Sequence, residues 1–139
     1  MAGNIEASIN SIVDLGDANE WILFDTKMLG VCDNLAYVDW ATTSGLADTR
    51  LNARDLAVSI FENTTIQPIL TEKQEKDLYH ILDEDENLHL RRKAAFALCK
   101  FGKRTPKVID QIKEAADKDD ELRYTARKFL DQLSTDGYT

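Results

Sequence analysis

Three times along this chain, an aspartate precedes an arginine by six positions, as Asp48–Arg54, Asp85–Arg91 and Asp117–Arg123. Each pair opens a stretch in which apolar and small residues recur every three or four positions, which gives an α-helix one apolar face. In the clearest case, that face consists of Leu90, Ala94, Leu98 and Phe101. The three aspartates lie 37 and 32 residues apart. A period of this length is typical of stacked helical hairpins, so we predict an all-α fold, an α-α superhelix of about four hairpins.

Local start and stop signals support this division. We predict the first three helices near residues 4–15, 18–31 and 34–44, and hairpins that begin near residues 4, 33, 71 and 106. Two Ser/Thr/Asp-x-x-Glu/Gln patterns predict capping boxes at helix starts, Asp17 with Glu20 and Thr71 with Gln74. Thr105-Pro106 predicts a further start, because proline is favoured at the first helical position.

We predict a single domain over residues 1–139. Residues 1–32 lack an Asp–Arg pair and are interpreted as an N-terminal capping hairpin, with an unrelated helical extension as the alternative. Residues 33–133 hold three repeats, and the polar residues 134–139 are expected to fray.

The repeated pattern resembles HEAT repeats, in particular the short subclass found in phycobilin-lyase-like proteins. In that family the second helix of a repeat opens with Asp, then an aliphatic residue, Arg and an alanine-rich run. The matching positions here are Asp48, Ala53, Arg54 and Ala57, then Asp85, Leu90, Arg91 and Ala94, then Asp117, Leu122, Arg123 and Ala126. The resemblance covers residues 48–133 and implies that these Asp and Arg side chains form a structural ladder between neighbouring repeats. It implies little about function, because this fold serves many unrelated partners.

Charge is unevenly distributed along the chain. The net charge of −8 argues against nucleic-acid binding, which requires clustered Lys and Arg to neutralise phosphates. The exception is residues 87–109, here called the basic belt, with no acid and seven bases: Arg91, Arg92, Lys93, Lys100, Lys103, Arg104 and Lys107. One interpretation assigns these bases to the ladder, a solvated face and helix ends. The other makes the belt a site for an acidic partner, or for weak self-association with the acidic N-terminal half of another copy.

The sequence shows no catalytic, cofactor or metal motif. HEAT-repeat hydroxylases hold iron with His-Glu pairs, whereas His80 precedes Ile81 and His89 precedes Leu90. The acidic turn at residues 83–86 lacks the glycine and distal glutamate of a calcium loop. We therefore expect two solvent-facing histidines, no cofactor, no metal and no enzymatic activity.

Four other residues have predicted environments. Cys32 and Cys99 lie 67 residues apart in apolar patterns and are expected to be buried free thiols. Trp21 falls in an apolar stripe and is expected in the core, whereas Trp40 lies off its stripe and is expected to be exposed. No apolar run is long enough to span a bilayer, so we expect no membrane partner and a cytoplasmic location.

The leading functional hypothesis is a non-catalytic scaffold that binds another protein. The second helices of successive hairpins would line a concave face, with partner contacts from Asp55, Arg92, Lys93, Lys100 and Arg127. Two alternatives stay open. The resemblance implies a phycobilin-lyase-like enzyme or accessory subunit, and the net charge suggests an acidic inhibitor that mimics nucleic acid.

Overall fold

A computed structural model describes residues 2–137, which form eight α-helices, one short 3-10 turn and no strand. The helices are α1 (Ala2–Asp17), α2 (Trp21–Val31), α3 (Leu35–Thr43), α4 (Leu51–Asn63), α5 (Glu72–Glu84), α6 (Leu88–Lys100), α7 (Pro106–Lys118) and α8 (Arg123–Thr135), and the 3-10 turn is Gly45–Ala47. They pack as four hairpins, α1–α2, α3–α4, α5–α6 and α7–α8. The predicted fold class, an all-α superhelix of helical hairpins, is confirmed.

The core is centred on α4 and α6, the second helices of the two middle hairpins. Helix α4 packs against α1, α2, α3 and α6, and α6 packs against α4, α5, α7 and α8. Because both have neighbours on several sides, residues 56–61 and 94–99 are buried at every position. A continuous apolar cluster extends from Ile9 in α1 to Leu133 in α8 and joins the four hairpins. None of the described helices combines the length and the apolar character needed to cross a bilayer.

Local signals placed two helix starts correctly. Thr71 accepts a hydrogen bond from the Gln74 backbone amide while the Gln74 side chain accepts one from the Thr71 amide, so the predicted capping box is present. Pro106 occupies the start of α7, as predicted. The predicted frayed tail is described only in part, since α8 continues to Thr135 and residues 138–139 lie outside the described range.

The predicted capping box of Asp17 with Glu20 is wrong. Helix α1 continues through Asp17, and Glu20 precedes α2 without a side-chain capping bond. Gly16 lies inside α1, where the helix passes close to Asn52 and Phe24. The Asp17 carboxylate instead accepts a hydrogen bond of 2.7 Å from the Asn52 side chain.

The six-residue spacing does not reflect an ion pair between the aspartate and the arginine of the same motif. Arg91 Nε and Nη2 donate to the carbonyls of Leu82 and Asp83 at the end of α5, at 3.0 and 2.8 Å. Arg123 likewise donates to Ala116 and Asp117 at the end of α7. The last carbonyls of a helix have no hydrogen-bond donor within that helix. Arg91 and Arg123 each supply donors to these carbonyls, at the end of the helix that precedes their own.

Hairpins are connected by a different pairing of arginine with aspartate. Arg54 of α4 forms an ion pair of 2.8 Å with Asp85, the residue that follows α5. Arg92 of α6 forms the equivalent pair of 3.0 Å with Asp119, the residue that follows α7. Asp85 therefore binds Arg54 of the preceding hairpin and not Arg91, the arginine of its own motif.

The remaining ladder residues have local roles. Asp48 binds Arg50 two positions later, and Arg54 donates to the Asp48 carbonyl rather than to its carboxylate. The Asp117 side chain is exposed, and Asp119 takes its place in the ladder.

Candidate functional site

A groove of about 720 Å³ runs along the second helices of all four hairpins. Its lining residues come from α2, α4, α6, α8 and the turns that precede α6 and α8. This is the face on which the sequence analysis placed partner contacts. A smaller cavity of about 410 Å³ lies beside α4 and α5, but its Arg54 and Asp85 already pair with each other.

Helix α4 forms the floor of the groove. Its groove-lining residues recur at helical spacing and are Leu51, Asn52, Asp55, Ser59, Glu62 and Asn63. The residues between them are buried in the apolar core, except Arg54, which lines the smaller cavity. Helix α4 is otherwise buried, so this mostly polar stripe marks the groove as a candidate binding site.

A buried ion pair occupies the centre of the groove. Lys93 Nζ lies 2.6 Å from Asp55 Oδ1, and the two side chains are 14% and 7% exposed. Lys93 also donates to the Ser59 hydroxyl, which in turn donates to Asp55. Burial acts to lower the pKa of Lys93, but the Asp55 and Glu62 carboxylates outweigh it and raise that pKa. Lys93 is therefore a fixed positive charge.

Two further carboxylates face this single cation. Burial raises the pKa of Glu62, with Lys93 opposing the shift and Asp55 adding to it. Burial also raises the pKa of Asp25 on α2, again against the effect of Lys93. Glu62 Oε1 is shielded from solvent and accepts no hydrogen bond from any described residue. The groove thus brings three carboxyl groups, of Asp25, Asp55 and Glu62, close to one lysine.

Apolar side chains exposed on α2 and α4 form the rim. Trp21 is 40% exposed, Leu29 57% and Leu51 39%, and all three line the groove. At the α8 end, His89 Nδ1 lies 3.8 Å from the exposed Glu121 carboxylate. The groove therefore combines a charged floor with an apolar rim.

Only two of the five predicted partner contacts, Asp55 and Lys93, line this groove. Arg92 is buried, because it binds Asp119 and Glu114 on the other side of α6. Lys100 donates to the carbonyls of Phe61 and Thr64 and so caps the end of α4. Arg127 is exposed on α8 outside the lining.

The bases of the basic belt bind partners within the chain. Besides the contacts of Arg91, Arg92, Lys93 and Lys100, the belt forms the ion pairs Lys103–Glu75, Arg104–Asp136 and Lys107–Asp83. All seven bases thus have intramolecular partners. Five of them are paired with carboxylates, whereas Arg91 and Lys100 bind backbone carbonyls.

Sequence reasoning missed Trp21, Asp25 and Glu62. Trp21 was expected in the core, but it lies at the rim with its ring edge-on to Phe24 at 5.1 Å. A signal existed in the run Trp21–Phe24, since four consecutive apolar residues cannot all be buried on a helix with few neighbours. Trp40, expected to be exposed, is partly buried against the core.

The two histidines and the two cysteines complete the sequence-predicted residues. His80 is exposed as expected, while His89 is half-buried at the groove. Cys32 and Cys99 are buried free thiols, as predicted. No group of three or more potential metal ligands occurs among the described residues.

Comparisons with protein-family models, with curated proteins and with solved structures find no match to this chain. The HEAT-repeat assignment therefore depends on the sequence pattern alone.

Proposed function

We propose that this protein is a non-catalytic, HEAT-like helical-repeat module that binds a segment of another protein in the groove formed by α2, α4, α6 and α8. The observation that carries the proposal is the combination of exposed apolar side chains at the rim with a buried charged floor. Protein-binding sites commonly have anchoring apolar and aromatic residues beside polar groups that fix orientation.

The chemistry of the floor favours binding over catalysis. The raised pKa of Lys93 keeps its amine protonated, so that it is a poor nucleophile. The Ser59 hydroxyl is held between Lys93 and Asp55 and is itself almost completely buried. We place the module in the cytoplasm, which is consistent with two thiols that remain unpaired.

A peptide selection tests this function. Random peptides would be selected on the wild-type protein, and the affinity of the enriched peptides would then be measured on two variants. Leu29→Ser removes an apolar side chain from the rim, whereas Ile22→Ser removes one that is 85% exposed on the same helix outside the groove. Full burial of an exposed leucine contributes about 1.5–3 kcal/mol, and Leu29 is 57% exposed, so we expect Leu29→Ser to weaken binding about fivefold or more.

The Ile22→Ser variant should bind like the wild type. Selected peptides that bind all three proteins equally would contradict the proposed site.

A further inference from the structure

The charge of the groove selects the kind of partner that can enter it. Four carboxylates line the groove, at Asp25, Asp55, Glu62 and Glu121, against one lysine and one histidine. Asp55 is already paired with Lys93 at 2.6 Å. The remaining acids leave the groove negative, which favours a positively charged occupant and repels an acidic one.

Glu62 supplies a specific point of attachment. Its Oε1 atom is shielded from solvent and accepts no hydrogen bond within the described chain. The two ammonium groups that act on it electrostatically do not donate to it, because Lys93 binds Asp55 and Ser59 while Lys100 binds the carbonyls that end α4. Glu62 as a whole is only partly buried and lines the groove, so its carboxylate can accept a hydrogen bond from a donor that a partner carries into the groove.

The rim beside these acids favours an arginine side chain of the partner over a lysine side chain. Trp21, Asp25 and Leu29 follow at intervals of four residues along α2, so that an indole, a carboxylate and a leucine lie on one side of the groove. A guanidinium can bind a carboxylate through two parallel hydrogen bonds and stack on an aromatic ring, whereas an ammonium acts as a point charge.

The length of the floor sets the length of the occupant. Leu51 and Glu62 are eleven positions apart on α4, a distance of about 16 Å along the helix axis. An extended peptide of about five residues covers that distance.

We infer that the groove binds a short arginine-bearing segment of a partner protein, with the arginine at Glu62 and an adjacent apolar side chain against Trp21 and Leu29. This inference rests on the proposed function, because it specifies the occupant of the same groove.

The test uses a matched set of fluorescently labelled pentapeptides. All have the sequence Leu-Ala-X-Leu-Ala, where X is arginine, lysine, glutamate or citrulline, the neutral isostere of arginine. We expect fluorescence anisotropy to show the arginine peptide binding about tenfold or more tighter than the citrulline peptide, with lysine between them and glutamate weakest. Unlabelled spermidine, which has charge but no apolar side chain, should not displace the arginine peptide at equal concentration.

Two variants assign the preference to Glu62. Glu62→Gln should reduce the affinity for the arginine peptide to that for the citrulline peptide, and Glu72→Gln, on the exposed start of α5, should leave it unchanged. A thermal melt of Glu62→Gln that is no lower than that of the wild type shows that the loss is not unfolding.

The outcomes separate this inference from the proposed function. Equal binding of the arginine and citrulline peptides overturns the inference, as does displacement by spermidine. Failure of all four peptides, while selected peptides still depend on Leu29, also overturns the inference and leaves the binding groove intact. Arginine-dependent binding that Glu62→Gln does not reduce would place the cation elsewhere and overturn the inference as well.

Discussion

Arg92 and Lys93 are adjacent in the sequence but serve different sides of α6. Successive positions on a helix point about 100° apart, so Arg92 reaches Asp119 after α7 while Lys93 reaches Asp55 on α4. One base connects two hairpins, and the other defines the floor of the groove. Their roles could not be read from charge alone, since both belong to the basic belt.

Removal of Arg92 should destabilise the protein. Arg92→Ala leaves Asp119 and Glu114 without their cation, and loss of one partner from a buried pair costs about 3 kcal/mol or more. Arg127→Ala, at an exposed position on α8, should change stability by less than about 0.5 kcal/mol. Urea unfolding followed by circular dichroism measures both, and equal midpoints for the two variants would show that the Arg92 pair does not stabilise the stack.

The Glu62 carboxyl should make stability depend on pH. The charged groups facing it are Lys93, Asp55, Lys100 and Asp25, and burial raises its pKa above the usual 4.5. Between pH 4.5 and the raised pKa, the folded state therefore holds a proton that the unfolded state has released, and stability falls as pH rises through this interval. Glu62→Gln has no such proton, so it should melt higher than the wild type at pH 7, with a smaller difference at pH 4.

Differential scanning calorimetry across that range measures the difference between the two proteins. A difference that does not change with pH would mean that Glu62 has an ordinary environment.

At the scale of elements, local signals determine where helices begin, and packing determines what they expose. Thr71 and Pro106 begin α5 and α7 because capping and proline geometry act within one turn. Helix α2 is apolar on most sides, yet only the neighbours α1 and α4 cover it substantially. Two of its exposed residues, Trp21 and Leu29, consequently form part of the rim of the groove.

The capping box at Thr71 should contribute measurably to stability. Thr71→Ala removes the acceptor for the Gln74 amide and should cost about 1 kcal/mol. Thr105→Ala is the matched control, since Thr105 caps α7 without a side-chain bond to its backbone and only pairs with the Tyr79 hydroxyl. If chemical denaturation shows equal losses of stability for the two variants, the loss is due to removing a threonine and not to removing the capping hydrogen bond.

The turn between α3 and α4 should not tolerate a larger residue. A Cβ atom at Gly45 would lie 2.8 Å from Ala57 Cβ and 2.9 Å from the Trp40 ring. We expect Gly45→Ala to cost about 1–3 kcal/mol through overpacking. At Gly30 nothing lies within 4 Å, so Gly30→Ala should stabilise helix α2 by about 0.5 kcal/mol. We expect Gly45→Ala to lower the melting temperature and Gly30→Ala to raise it. Shifts of the same sign in the two variants would contradict the close packing at Gly45.

For the whole molecule, the helical-hairpin fold was predictable because the relevant signals lie within one or two helical turns. The Asp–Arg spacing and the apolar faces gave the hairpins, and they predicted the buried thiols. The ladder pairing was not predictable, since whether Arg54 meets Asp48 or Asp85 depends on the offset between stacked hairpins. For the same reason, the sequence did not predict that Arg92 pairs with Asp119 rather than with Asp117 where the last two hairpins meet.

The site was predictable only in part. Asp55 and Lys93 were identified, but Glu62 and Trp21 needed three-dimensional context. Glu62 is a candidate because Lys93 binds Asp55 and Lys100 binds the Phe61 carbonyl, so neither donates to it. No sequence pattern predicts these two contacts. Trp21 is exposed because α2 belongs to the terminal hairpin, beyond which no further described helix packs against it.

Chemical-shift mapping tests the central claim, that the second helices of the four hairpins form one binding surface. Spectra of ¹⁵N-labelled protein would be recorded while the arginine pentapeptide is added. We expect the largest amide shifts along α2, α4 and α6, around Leu29, Glu62 and Lys93. Shifts concentrated on α5 and α7, or none at saturating peptide, would contradict it.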